Sequence, residues 1–151
     1  MASQKCGSVT SLRWKGKVRR IKLMLGEPKF VDFFSQVGRT FEVDEVLVSK
    51  SEEFVCLLYG IDLKHVNDAR AALFKTGQHM DDSLPPNKDS LEKHLLRANY
   101  QAGIHHRRLE PNPIIPPPQS HGWTTDEDVL WVKWMDLLPA PNSVLELANC
   151  K

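Results

Sequence analysis

The stretch NKDSLEKHLLRANYQAGIHHRRL, residues 87–109, decides the fold class. Leu91, Leu95, Ala98, Ala102 and Leu109 recur at steps of three, four and seven, the period of one helical face. The spacing predicts the longest helix of the chain from about Lys88 to Leu109, with Leu91, Leu95 and Ala98 in the core. Tyr100 is expected to pack against a helix over residues 44–59. Gly103 falls inside the long helix, where glycine costs ~1 kcal/mol relative to alanine, so a kink is expected there.

Working outward, the helical pattern repeats. Asp44 is a good N-cap for a helix that ends before Gly60, with Leu47, Phe54, Val55 and Leu58 on its apolar side. A shorter helix is predicted from Val66 to Thr76, with Ala69, Ala72 and Leu73 inward. Upstream, KGKVRRIKLML places Val18, Ile21 and Leu25 on one stripe until Gly26 stops it. Pro28 suits the first turn of the next helix, where Phe30, Phe33, Phe34 and Val37 follow the same spacing. Downstream, PNPIIPPP (111–118) must run extended, because each proline removes a donor and restricts its predecessor. A strand-like segment follows, with Leu130, Val132 and Trp134 alternating with Trp131 and Lys133, and SVLELANC reads as a short final helix.

The predicted fold class is therefore mainly α, a multi-helix single domain with a proline-rich connector and a small strand-containing C-terminal extension. Residues 1–14 read as a flexible N-terminal remnant and 15–110 as the helical domain. Residues 111–122 are the connector, and 123–151 an extension packed on the helices.

Composition narrows the function classes. The chain has 151 residues, of which 41% are hydrophobic and 26% charged, too apolar for wholesale disorder. No apolar run reaches the ~18–20 residues that a membrane crossing needs, and the first twenty residues hold cations where a leader needs an apolar core. Three widely spaced cysteines (Cys6, Cys56, Cys150) oppose a disulfide framework, and the expected location is intracellular, nuclear or cytoplasmic. The net charge of +1 conceals an asymmetry: residues 1–29 hold eight basic residues and one acid, and the remainder twelve basic residues and eighteen acids. A basic arm on an acidic body makes nucleic acid a partner for the arm alone.

Few chemical motifs survive inspection. The histidines lack the spacing of zinc ligands and read as solvated side chains. The acidic pairs Glu52–Glu53, Asp81–Asp82 and Asp126–Asp128 read as solvated faces. Cys56, inside EFVCLLYG, reads as a core thiol. Of the four tryptophans, the three in 123–134 are expected to pack on the helices. No glycine-rich nucleotide loop and no nucleophile elbow occurs. The remaining candidate is KGKVRR. Gly16 lets backbone approach an anion, helix amides follow it, and Arg13, Lys15, Lys17, Arg19, Arg20 and Lys22 supply six cations in ten residues. The same run also reads as a solvated helix face.

The order EEFVCLLYG, VNDARAALFKTG, LPPNKDSLEKHLLRANYQA, PNPIIPPPQSHGW and DVLWVKWMDLLPAPNSVLEL resembles a family of animal proteins carried by repetitive, transposon-like elements. Members of that family carry, upstream, a domain resembling flap-endonuclease and PIN-like nucleases. That domain ends in a Gly-Cys-Asp-Thr motif and a basic helical hairpin. CGSVTSLRWKGKV (6–18) is similar to that ending, but Gly7 stands where the resemblance puts a metal-binding aspartate. The resemblance implies the helical C-terminal part of a larger protein with that ligand gone.

The expected function is a non-enzymatic remnant of a transposable-element-borne protein that binds DNA or RNA backbone weakly. Its nucleic-acid-binding residues would be Arg13, Lys15, Gly16, Lys17, Arg19, Arg20 and Lys22. No catalytic residue, metal, cofactor or membrane partner is expected. The alternatives are the C-terminal part of a metal-dependent DNA nuclease with its ligands upstream, and a proline-rich interaction module built on residues 111–118.

Overall fold

A computed structural model describes residues 17–77 and 83–137. Within them lie five helices, α1 (Lys17–Gly26), α2 (Pro28–Gln36), α3 (Glu45–Leu58), α4 (Val66–Lys75) and α5 (Lys88–His106). A two-stranded antiparallel sheet, β1 (Trp123–Asp126) and β2 (Val129–Val132), follows them. The chain is mainly helical, as its periodicity predicts. The arm before Lys17, the Asp81–Asp82 pair and the expected SVLELANC helix lie outside the described residues.

The helix starts follow local chemistry. Asp44 accepts a hydrogen bond from the Leu47 amide at 2.7 Å, and Asn87 accepts one from the Ser90 amide at 2.8 Å. Each satisfies a donor that the first turn leaves open. Pro28 opens α2, where no N–H is needed.

The core has two parts. Val55, Cys56, Leu58, Val66, Ala69, Leu73, Leu84 and Leu91 bring α3, α4 and α5 together, while Phe33, Leu47 and Leu95 join α2 to α3 and α5. Phe54 receives Phe30 and Phe34 edge-on, with ring centroids 5.1 and 5.0 Å away. Cys56 is fully buried, and burial, reinforced by the charge of Glu52, pushes its thiol up to about 11.

The sequence RANY on α5 grips three separate parts of the chain. Arg97 donates to the carbonyls of Gly122 (3.2 Å) and Lys133 (2.6 Å), with its guanidinium over the Trp134 ring. Asn99 accepts from the Gly38 amide at 2.7 Å and donates to the Thr40 carbonyl at 2.9 Å. Tyr100 donates to the Pro116 carbonyl at 2.9 Å, which holds the extended proline run against the helix. At the start of α5, Asp89 accepts from the amides of Asp136 and Leu137, and Lys93 pairs with Asp136. Residues 116–137 are thus bound along α5 through polar contacts.

Several expectations need correction. The long helix stops at His106, and Leu109 is 88% exposed. Arg107 turns back to the carbonyls of Gly103 and Arg39, and Pro111 disfavours helix in the residue before it. Tyr100 is buried, but its ring neighbours are Phe41 and His121 (stacked at 5.0 Å). Ala98 is half-buried. On α1, Val18 and Leu25 are each 65% exposed and Leu23 packs on the core instead. The strand-like segment is one arm of a hairpin, in which Trp123 pairs with Val132 and Asp126 with Val129. Its turn places Glu127 and Asp128 at φ 46° and 61°, the type I′ pattern. Trp131 stays largely exposed, so it is Trp134, under Arg97, that meets the helices.

Gly103 sits in an unbroken helix for a reason of space. A Cβ there would lie 2.7 Å from the Phe41 ring, which Arg107 also covers at 4.5 Å. Gly103→Ala is therefore expected to lower stability by about 1–3 kcal/mol through overpacking, although Gly→Ala in a helix ordinarily adds ~1 kcal/mol. Urea unfolding checks this, and in a Phe41→Leu background the same change should become neutral or stabilising.

Candidate functional site

Of the seven residues singled out for nucleic-acid binding, Arg13, Lys15 and Gly16 lie outside the described residues. Lys17, Arg19, Arg20 and Lys22 all fall on α1, which begins at Lys17 and contains no acid. At 100° per residue they divide into two faces. Lys17 and Arg20 lie on the lip of a cavity beneath the helix, and Arg19 and Lys22 face elsewhere. Arg19 extends toward Gly60, where a Cβ would stand 3.4 Å from one of its terminal nitrogens. That position follows the C-terminus of α3, where helix carbonyls favour a cation.

Five lysines outside α1 are paired with carboxylates. Lys29 and Lys50 both reach Glu53, Lys88 reaches Glu92, and Lys93 and Lys133 both reach Asp136. The Lys29 bond lowers the Glu53 pKa, and the bonds from Lys133 and Lys93 do the same for Asp136. Among the described residues, none of the four α1 cations has a carboxylate within ion-pair distance.

The cavity measures about 430 Å³ and is formed by α1, α2, α3 and α5. Met24, Phe34, Phe54, Leu58 and Leu95 line it, with Lys17, Arg20, Ser51 and His94 as its polar members. No periodic pattern in one helix could reveal it, because each element contributes only a few residues.

One histidine and one acid depart from the solvated reading. His121 stacks on Tyr100 with Nδ1 shielded. Glu52 is 1% exposed and bonds His65 Nδ1 at 3.0 Å, although its position in sequence suggests a surface helix. His94 fits the solvated reading, since it is exposed, with part of its side chain against the cavity lining. Burial of that part lowers its pKa, and the charge of Arg97 lowers it further.

Among the described residues, no group of three or more His, Cys, Asp or Glu side chains converges as metal ligands. In the same residues no helix is long and apolar enough to cross a membrane. The chain matches no family model, no curated protein and no solved structure.

The lowered pKa of His94 has a defined consequence for stability. The unfolded chain takes up the proton near pH 6.5, while the folded protein resists it to lower pH. Below that pH the unfolded state holds more protons, so His94 makes stability fall as pH drops. His94→Gln should lose less stability than the parent between pH 7.5 and 5 in urea titrations. Equal losses would remove His94 as a source of acid sensitivity.

Proposed function

We propose that the chain is a non-catalytic module, the helical part of a transposable-element-borne protein, that holds nucleic-acid backbone through residues 13–22. The observation that carries this reading is the unneutralised charge of α1. Lys17, Arg19 and Lys22 are exposed on a helix without acids, while five lysines of the body already have carboxylate partners. Phosphates are the partners such cations lack, and displacing condensed counterions from a nucleic acid drives that pairing. Arg13 and Lys15 extend the same charge along the chain.

Backbone contacts carry no base information, so binding should be independent of sequence. The resemblance to element-borne proteins with a nuclease-like domain upstream favours DNA or RNA as the polymer. The acidic remainder confines contact to the arm and α1, and the role is an intracellular one.

Fluorescence anisotropy with labelled duplex DNA and single-stranded RNA tests this. The full chain should bind with roughly micromolar or weaker affinity at physiological salt and more tightly at low salt. Lys15→Ala, Lys17→Ala, Arg19→Ala and Lys22→Ala combined should abolish retention and flatten the salt dependence. A parent that fails to bind at low salt, or a quadruple variant that binds like the parent, would sink the proposal.

A further inference from the structure

The cavity beneath α1 carries a second inference, independent of the nucleic-acid reading. Its volume of about 430 Å³ falls within the usual range for small-molecule sites, ~300–1,000 Å³. The wall is carbon: Ile21 and Met24 from α1, Phe34 from α2, Leu58 from α3, and Leu95 and Ala98 from α5. The mouth is cationic, with Lys17 and Arg20 on the lip and no carboxylate anywhere on the lining.

Arg20 makes the site specific. Its Nε is shielded from solvent and has no hydrogen-bond acceptor among the described residues. A buried donor on a permanent cation is costly to leave unpaired. The helix above the cavity contributes no buried residue and rests on α2 and α3, so one wall of the site is loosely held.

We propose that this cavity binds an amphipathic carboxylate with a single alkyl chain, a fatty-acid anion. The tail lies among Met24, Phe34, Leu58 and Leu95, where it leaves water. The carboxylate pairs with the Arg20 guanidinium, and Lys17 adds a second positive charge at the mouth. Apolar length supplies the affinity, and the paired cation selects the anionic head.

Isothermal titration of the full chain with sodium decanoate, 1-decanol and decyltrimethylammonium tests the proposal. Decanoate should bind at one site per chain, decanol about tenfold more weakly or worse, and the ammonium compound not at all. Arg20→Met keeps the apolar stem and should bring decanoate to the level of decanol without changing decanol itself. Ala98→Phe fills the cavity and should remove both. Absence of decanoate uptake by the full chain would overturn the proposal, as it would if another segment of the chain occupied the cavity. Equal affinity for decanoate and decanol would also overturn it, and so would a folded Ala98→Phe protein that still binds. If Ala98→Phe does not fold, the Arg20→Met comparison decides alone.

Discussion

The buried amide of Asn99 is the constraint on which the rest of the structure depends. The side chain is 1% exposed and sits on the central helix, so both of its ends must be paired within the protein. The loop between α2 and α3 supplies the partners, an amide at Gly38 and a carbonyl at Thr40. Satisfying one residue therefore fixes where the chain turns between two helices. Arg97 and Tyr100 extend the same logic to backbone carbonyls of the hairpin region and the proline run. α5 holds these distant segments through polar side chains, while Ile114, Val129, Leu130 and Trp131 on them stay exposed.

Close approach is the second requirement of that arrangement. Gly38 lies against Ala102, where an added Cβ would meet backbone and side chain at 2.6 Å, and its φ of +84° also favours glycine. Gly103 leaves room for Phe41, which then takes part in a run of rings from Arg107 through Tyr100 to His121. Asn99 and Gly103 act from neighbouring positions of α5 on the loop that carries Gly38 and Phe41, so changes among these residues should couple.

Against this tightly bonded body, α1 is an outlier. It buries no residue, pairs none of its cations among the described residues, and stands over a cavity its apolar side chains do not fill. A run of acid-free positive charge and a cavity meet at α1, so both functional proposals involve that helix.

Periodicity and capping in the sequence determined the helical class, the five helices in order and most of the core, because burying one face of a helix leaves a pattern along the chain. Asp44, Pro28 and the runs around Leu91 and Val55 carried that information locally. The hairpin did not announce itself, since its turn uses Glu127 and Asp128 at positive φ where Asn-Gly would have been a signal. Nor did the burial of Glu52, which His65 makes possible from the start of α4, a residue beyond the helix that carries the acid. The six cations of residues 13–22 were legible as a cluster, but not the division of Lys17, Arg19, Arg20 and Lys22 between the lip of a cavity and the other faces of the helix. On a ten-residue helix with several apolar positions, more than one stripe can face inward. Only packing against α2 and α3 selected which one did, because the depth available to each side chain is a property of the neighbouring helices and not of α1 itself.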